Sequence, residues 1–178
     1  MAEIKTERLV LRRLAMEHAL GVAAAVGNFE VSKYLSVVPH PYSEDDARAW
    51  IGTFDQSPDV EDTKFAIINH SGNFIGVLGL DQGEAGPELG YWLGEQYWGQ
   101  GYMSEAASAA LEWLFANSDI QTVTSGAYTF NPASLAIQYK LGFKDARTED
   151  RMCLAQGQAF PLTVTTLERQ NFTPLHKN

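Results

Sequence analysis

Gly94-Glu95-Gln96-Tyr97-Trp98-Gly99-Gln100-Gly101-Tyr102 is the stretch on which the reading of this chain turns. Before it, Glu88-Leu89-Gly90-Tyr91-Trp92-Leu93 has the composition of a strand. After it, residues 104–116 are rich in Ala, with Leu111, Leu114 and Phe115 on one helical face. Two glycines spaced two apart therefore join a strand to the start of a long helix. In that setting main-chain N–H groups converge, and the helix N-terminus carries roughly half a positive charge. Gly99 and Gly101 lack Cβ atoms, so an anion can approach the main chain closely. The expected product is a phosphate or pyrophosphate cradle built mostly from backbone; the plainer alternative is a turn that only connects strand and helix. A P-loop would need Lys and then Ser or Thr after its second glycine, and no Lys follows here. A dinucleotide fingerprint would need a third glycine where Ser104 stands.

Working outward, residues 9–14 read as a first strand and 16–26 as a helix stopped at Gly27-Asn28. A short helix is expected over 29–35. Ser43 can cap a further helix whose acidic first turn, Glu44-Asp45-Asp46, suits the helix dipole. That helix should run to about Phe54 and end before Ser57-Pro58-Asp59. Residues 65–68 and 74–80 form a hairpin about Asn69-His70-Ser71-Gly72-Asn73, and a Gly-rich turn over 83–87 leads into the 88–93 strand. Residues 122–128 are a strand, and 131–141 a helix with Asn131 as cap, Pro132 at its first position and Gly142 as its stop. Two last strands, near 151–154 and 160–168, are joined by Gln156-Gly157-Gln158. The succession implies an α/β fold, a mixed sheet with helices packed on it.

The chain has 178 residues, 45% of them hydrophobic, which suits one domain over residues 1–178. Its formal net charge is -9, from 13 Lys plus Arg against 22 Asp plus Glu. An acidic domain repels phosphate backbones and anionic lipid, so neither nucleic acid nor membrane is expected as a partner. The same acidity suits an amine-bearing partner, or serves solubility alone. A single cysteine, Cys153, excludes an internal disulfide framework and a multi-Cys zinc site. The charged start lacks an apolar signal core, and no apolar run approaches the ~20 residues of a membrane span. A reduced, cytoplasmic protein is the expectation.

Gln96-x-x-Gly99-x-Gly101 resembles the (Arg/Gln)-x-x-Gly-x-(Gly/Ala) signature of the GNAT acetyltransferase superfamily. Asn131-Pro132-Ala133-Ser134, followed by Leu141-Gly142-Phe143, resembles that family's next motif. Thr6-Glu7-Arg8-Leu9-Val10-Leu11-Arg12, Glu88-Leu89-Gly90-Tyr91-Trp92-Leu93 and Leu167-Glu168-Arg169-Gln170-Asn171-Phe172 are similar to the branch that includes the ribosomal-protein N-terminal acetyltransferases. The motifs cover nearly the whole chain, in the right order. They imply the GNAT fold: a mixed, mostly antiparallel sheet of about seven strands, flanked by helices, with its central strands splayed.

The resemblance also implies a cosubstrate, acetyl-coenzyme A, and an amine acceptor, either a small molecule or a protein N-terminus. Backbone groups around Trp92 and Leu93 would bond the pantetheine arm and polarise the thioester carbonyl. The turn of Gln96, Tyr97, Trp98, Gly99, Gln100, Gly101, Tyr102 and Met103 would hold the pyrophosphate, with Asn131 contacting the cofactor from the neighbouring helix start. Ser134 matches a serine near the cofactor sulfur, as thiolate stabiliser or acid. Many members place a tyrosine seven residues after the Asn; here Gln138 stands there and Tyr139 is one residue late, about 100° around the helix. That departure leaves open a non-catalytic acyl-coenzyme A sensor. Glu88 is the candidate base, directly or through water, with Asp81 next. Tyr97 and Trp98 are expected to pack the loop against the sheet. Residues 38–44, with His40, Tyr42 and Glu44, would border the acceptor site. His18, His70 and His176 read as surface residues, and Cys153 as a packing residue. No spacing suggests a metal site. Members are often dimers, so a homodimer is a further expectation.

Overall fold

The computed structural model describes residues 3–54, 62–83 and 86–175. The expected helix end at Ser57-Pro58-Asp59, the middle of the 83–87 turn and His176 lie outside the described residues. The strands are β1 (Ile4–Lys5), β2 (Leu9–Arg13), β3 (Thr63–Asn69), β4 (Phe74–Asp81), β5 (Glu88–Leu93), β6 (Thr122–Tyr128), β7 (Lys144–Cys153) and β8 (Gln158–Glu168). The helices are α1 (Ala19–Val26), α2 (Phe29–Ser32), α3 (Glu44–Gly52), α4 (Tyr102–Asn117) and α5 (Pro132–Leu141). One sheet of eight strands runs β1-β2-β3-β4-β5-β6-β8-β7, one more than expected because Ile4 and Lys5 pair with Leu11 and Val10. β7 also starts earlier than its apolar residues suggested; its outward charged side chains mask the alternation, but its pairing to β8 runs from Lys144↔Thr166 to Cys153↔Gln158.

Alternation along β3 divides the core between two faces. Phe65 and Ile67 join Leu9, Leu11, Leu78, Leu80 and the buried stripe Ala106, Ala107, Ala110, Leu111 and Leu114 of α4. Ala66 and Ile68 point the other way, to Val22, Val26, Ala47 and Ile51 of α1 and α3. Helices thus cover both faces. α3 starts as expected, with Ser43 and Asp46 forming a reciprocal capping box.

His18 is not a surface residue. A short 3-10 turn, Met16–His18, precedes α1 and tucks the ring under Phe74, with the Ala15 N–H donating to its Nδ1 at 3.0 Å. Burial lowers its pKa from the usual histidine value, with Arg12 adding to the effect and Glu17 opposing it.

All neighbouring strands run antiparallel except β5 and β6. That parallel pair holds for two positions, Glu88↔Thr124 and Leu89↔Ser125, and then opens. Ser125 Oγ donates to the Leu89 carbonyl at 2.8 Å, at the last closed rung. β5 meanwhile stays bound to β4 along its whole length, from Asp81↔Glu88 to Gly76↔Leu93. A bulge on β4, where Ile68 pairs with Phe74 and skips Ile75, brings β5 very near Gly76. A Cβ on Gly76 would stand 2.2 Å from the Trp92 carbonyl oxygen and 2.8 Å from the Leu93 side chain. Gly76→Val should therefore destabilise the protein by about 1–3 kcal/mol through overpacking. Thermal unfolding read by circular dichroism checks it; an unchanged midpoint would show that β5 can move away at no cost.

Candidate active site

The opening between β5 and β6 forms a cavity of about 720 Å³. Its walls bring together Glu88, Trp92, Leu93, Tyr97, Trp98, Gly99, Gly101, Tyr102, Met103, Asn131 and Ser134, eleven of the thirteen residues expected from sequence.

At one end lies the glycine turn. Gly99 and Gly101 have φ of 71° and 78°, in the left-handed region that favours glycine. Gly101 is the N-cap of α4, and no side chain caps that helix. An α-helix leaves its first N–H groups without intrahelical partners, so those of α4 are free to meet an anion at the positive end of the dipole. A Cβ on Gly99 would meet nothing within 4 Å, so the turn is open to a ligand there. Trp98 behaves as a packing residue: its indole N–H donates to the Leu93 carbonyl at 2.9 Å, tying the turn to β5. Tyr97 packs on the α4 side of the core.

Gln96 and Gln100 do not line the cavity. The Gln100 side-chain amide donates to the Gln96 carbonyl at 3.0 Å, so this pair shapes the turn from outside. Both were expected as members of the cofactor-binding turn; of the turn's residues these two are absent from the cavity lining.

Sequence reading missed the brace behind the turn. Arg8 donates from Nη1 to the Gln100 carbonyl at 2.8 Å and from Nε to Glu105 Oε2 at 2.7 Å, with its guanidinium 4.7 Å from the Tyr102 ring centroid. Glu105, in the first turn of α4, also accepts from the Arg8 N–H at 2.8 Å and from Thr6 Oγ1 at 2.7 Å. Burial works against its charge, yet the bonds from Thr6 and Arg8 outweigh burial and hold its carboxyl below the usual range. The partners lie nearly a hundred residues apart, so no local pattern could reveal them.

The backbone of β5 faces the opening in alternation. The Pro87 carbonyl accepts from the Thr124 N–H and the Leu89 carbonyl from Ser125, so both point to β6. With period two, the N–H and C=O of Tyr91 point there too, past the last rung. Trp92, between them, turns its backbone to Val77 on β4 and its ring to Phe74. Of the backbone expected around Trp92 and Leu93, that of Tyr91 and Leu93 turns to the opening and that of Trp92 turns to β4.

The Tyr91 phenol packs against the start of α5, where Asn131 caps by accepting from the Ser134 N–H at 3.3 Å. Ser134 Oγ donates to Tyr91 Oη at 3.1 Å, and Tyr91 donates to the Ser134 carbonyl at 3.0 Å. Fully buried Gln138 donates to Tyr91 Oη at 3.4 Å and accepts from Thr165 Oγ1 at 2.6 Å. Gln138 thus joins α5 to β8 behind Ser134. Burial raises the Tyr91 pKa against the hydrogen bonds from Ser134 and Gln138. Tyr139 points away, donating to Asp145 at 2.7 Å.

Glu88 lines the other side of the split, bound by Arg151 Nη1 at 2.9 Å. Asp81, paired to Lys64 at 2.7 Å, is outside the cavity lining. Residues 38–44, expected to border the acceptor site, are not in the cavity lining; its rim there is formed by Val31, Tyr34, Leu35 and Ser36. The β7–β8 turn clasps that rim: Leu154 N–H donates to Ser36 O at 3.2 Å and Gln156 Nε2 to Lys33 O at 3.0 Å. Cys153 is fully buried there, a packing residue as expected. Among the described residues, no group of three or more His, Cys, Asp or Glu could hold a metal ion, and no helix is long and apolar enough to cross a membrane.

A sheet split beside an uncapped helix start, with a glycine turn at one end, makes a cleft suited to an extended ligand that carries an anionic group. The family model for the acetyltransferase (GNAT) domain matches residues 8–144. An uncharacterized N-acetyltransferase of Bacillus licheniformis is 29% identical over 149 residues, covering 81% of this chain and 83% of that protein. A ribosomal-protein α-N-acetyltransferase solved with coenzyme A superposes with a TM-score of 0.82 at 20% identity, covering 94% of this chain and 98% of the other. The spermidine N-acetyltransferase of Vibrio cholerae, solved with coenzyme A and spermine, gives 0.79 at 15% identity, covering 93% and 98%. The chain belongs to the GNAT acetyltransferase family.

Two outcomes test the cradle and its brace. Gly101→Ala strains a left-handed backbone and brings a Cβ to 3.4 Å from Arg8 Nη2, so calorimetry should show weaker binding of acetyl-coenzyme A. Glu105→Gln should lower stability at neutral pH. A carboxyl held below its unfolded pKa contributes fully above that pKa, and the contribution fades as pH falls through the folded value. The stability gap between wild type and variant, followed by urea melts, should therefore close on acidification from pH 7 to pH 3.

Proposed function

We propose that this single-domain enzyme transfers the acetyl group of acetyl-coenzyme A to a primary amine by direct attack within a ternary complex. The observation that carries the reading is the split itself, with the glycine cradle at one end and the Ser134–Tyr91 pair in its wall. The residues suit the cosubstrate: the cradle offers main-chain donors for a pyrophosphate, and the unpaired edge of β5 offers them for an extended arm. Bound there, acetyl-coenzyme A supplies a thioester whose carbonyl carbon the amine nitrogen attacks as the carbon–sulfur bond breaks.

Alternation on β5 separates the two reactants. Tyr91, with Ser134, lies on the α4 side, and Glu88, Gly90 and Trp92 face the opposite side. A Cβ on Gly90 would meet nothing within 4 Å, so that face stays open to an incoming amine. Glu88 receives the amine proton through water, since Arg151 occupies its Oε1. In the resting protein the Ser134 hydroxyl donates to Tyr91, which itself donates to the Ser134 carbonyl; to meet a departing thiolate the serine O–H turns from Tyr91 to the sulfur. A tyrosine at position 138 is not required, because Tyr91 brings a phenol to the same corner from β5.

An acid of this kind contributes about 10²–10⁴-fold. Ser134→Ala should lower kcat by about 10²-fold with KM for acetyl-coenzyme A little changed, in a thiol-release assay. Tyr91→Phe should give a smaller loss, about tenfold, because the serine keeps its own proton but loses its orientation. Full turnover in Ser134→Ala would remove the serine from the mechanism. Acetyl-coenzyme A bound in calorimetry without turnover of any amine would make the chain a sensor instead.

A further inference from the structure

Glu88 is the one carboxylate among the described residues lining the cavity, beside two cations, Lys140 and Arg151. Arg151 enters from β7, the far edge strand, and is fixed from behind. Its Nε and Nη2 donate to Glu149 Oε1 at 3.2 and 2.7 Å, and its Nη1 to Glu88 Oε1 at 2.9 Å. A guanidinium has five N–H donors in a fixed fork. Three are used in these bonds, leaving one on Nη1 and one on Nη2 without a protein partner, on a residue of the cavity wall. The pair therefore presents an acceptor for an ammonium and donors for an oxygen side by side.

That arrangement suits some amines and not others. A polyamine carries several charges and no oxygen, so it needs unpaired carboxylates. This cavity offers one, already matched by Arg151, with Lys140 adding a like charge. An α-amine beside a carboxylate or carbonyl oxygen matches both members of the pair. We propose that Arg151 selects the acceptor: Glu88 faces its nitrogen, Arg151 binds the adjacent oxygen, and the substrate class is an α-amine flanked by a carboxyl or carbonyl group. This deepens the acetyltransferase reading and rests on it. The shared chemistry has two sources, a free amino acid or a peptide N-terminus, and the arms of the test separate them.

The test is a thiol-release panel of alanine, alaninamide, Ala-Ala, ethylamine and spermidine, with rates expressed per neutral amine so that differing amine pKa values do not decide the order. The oxygen-bearing α-amines should exceed ethylamine and spermidine by about 10–100-fold in kcat/KM, the range of a hydrogen bond to a charged group. A preference for alanine marks a free carboxylate, and a preference for alaninamide and Ala-Ala marks a peptide N-terminus. Arg151→Lys keeps the charge and the ion pair but loses the fork, so it should close most of that gap by depressing only the oxygen-bearing acceptors. Glu149→Gln, outside the cavity lining, should narrow the gap in the same direction by loosening the fork. Spermidine or ethylamine used as well as the α-amines would overturn the proposal, as would Arg151→Lys depressing all acceptors alike. Acetyl-coenzyme A that fails to bind in calorimetry would remove the acetyltransferase reading beneath it.

Discussion

The separation of β5 from β6 is the constraint that the rest of the structure serves. A parallel pair that closes for two rungs leaves main-chain donors and acceptors unpaired in the middle of a sheet, which is costly unless something else meets them. The fold limits that cost. Ser125 closes the last rung, Gln138 reaches the Gly126 carbonyl at 3.4 Å, and Trp98 takes the Leu93 carbonyl. What remains open is the Tyr91 backbone and the Leu93 N–H, past the last closed rung. A site that must later receive a ligand's polar groups keeps its own unpaired until then.

The cradle illustrates the same economy in charge. Its anion-binding power comes from a helix start and two left-handed glycines. The nearest arginine, Arg8, is spent on the Gln100 carbonyl and on Glu105. That places the cation behind the turn, where it fixes geometry. Glu105 would by itself oppose an anion nearby, but its charge is paired with Arg8 and it also accepts a hydrogen bond from Thr6.

Most of the fold was legible because it follows local rules. The apolar run at 65–68, Ser43 before its acidic turn and the Asn131-Pro132 start each gave the right element in the right place. The glycine spacing was legible for the same reason, whereas Ser134 was singled out only by the family resemblance. What was hidden depends on partners far apart in sequence. β1 is too short to show a pattern, and β7 exposes most of its side chains, so neither carries a periodic signal. His18 looked like a surface residue because a single histidine before an Ala-rich helix says nothing of Phe74 packing over it. Gln96 and Gln100 sit inside a binding motif, yet the Gln100 side chain is bound to the Gln96 backbone carbonyl and neither residue lines the cavity. The rim at 31–36 is held by the β7–β8 turn, a contact more than a hundred residues away that no local pattern shows.

The net charge of -9 shows how bulk composition can mislead about a site. An excess of Asp and Glu suggests that an amine is drawn in by unpaired carboxylates. Yet Asp46, Glu44 and Glu30 stand on exposed helix surfaces, committed to Ser43, Arg48 and Lys33. At the cleft one carboxylate faces two cations. Over distances longer than about 8–10 Å salt screens the surface charges, so they can steer an approaching cation only weakly. Discrimination must come from groups in contact with the acceptor. Those groups are paired in the resting protein, so an acceptor gains little by bringing positive charge alone. It gains by offering an oxygen to the guanidinium as its nitrogen nears the carboxylate. The ion pair across the cleft mouth therefore filters for the shape of a small dipole, which a count of acidic residues cannot express.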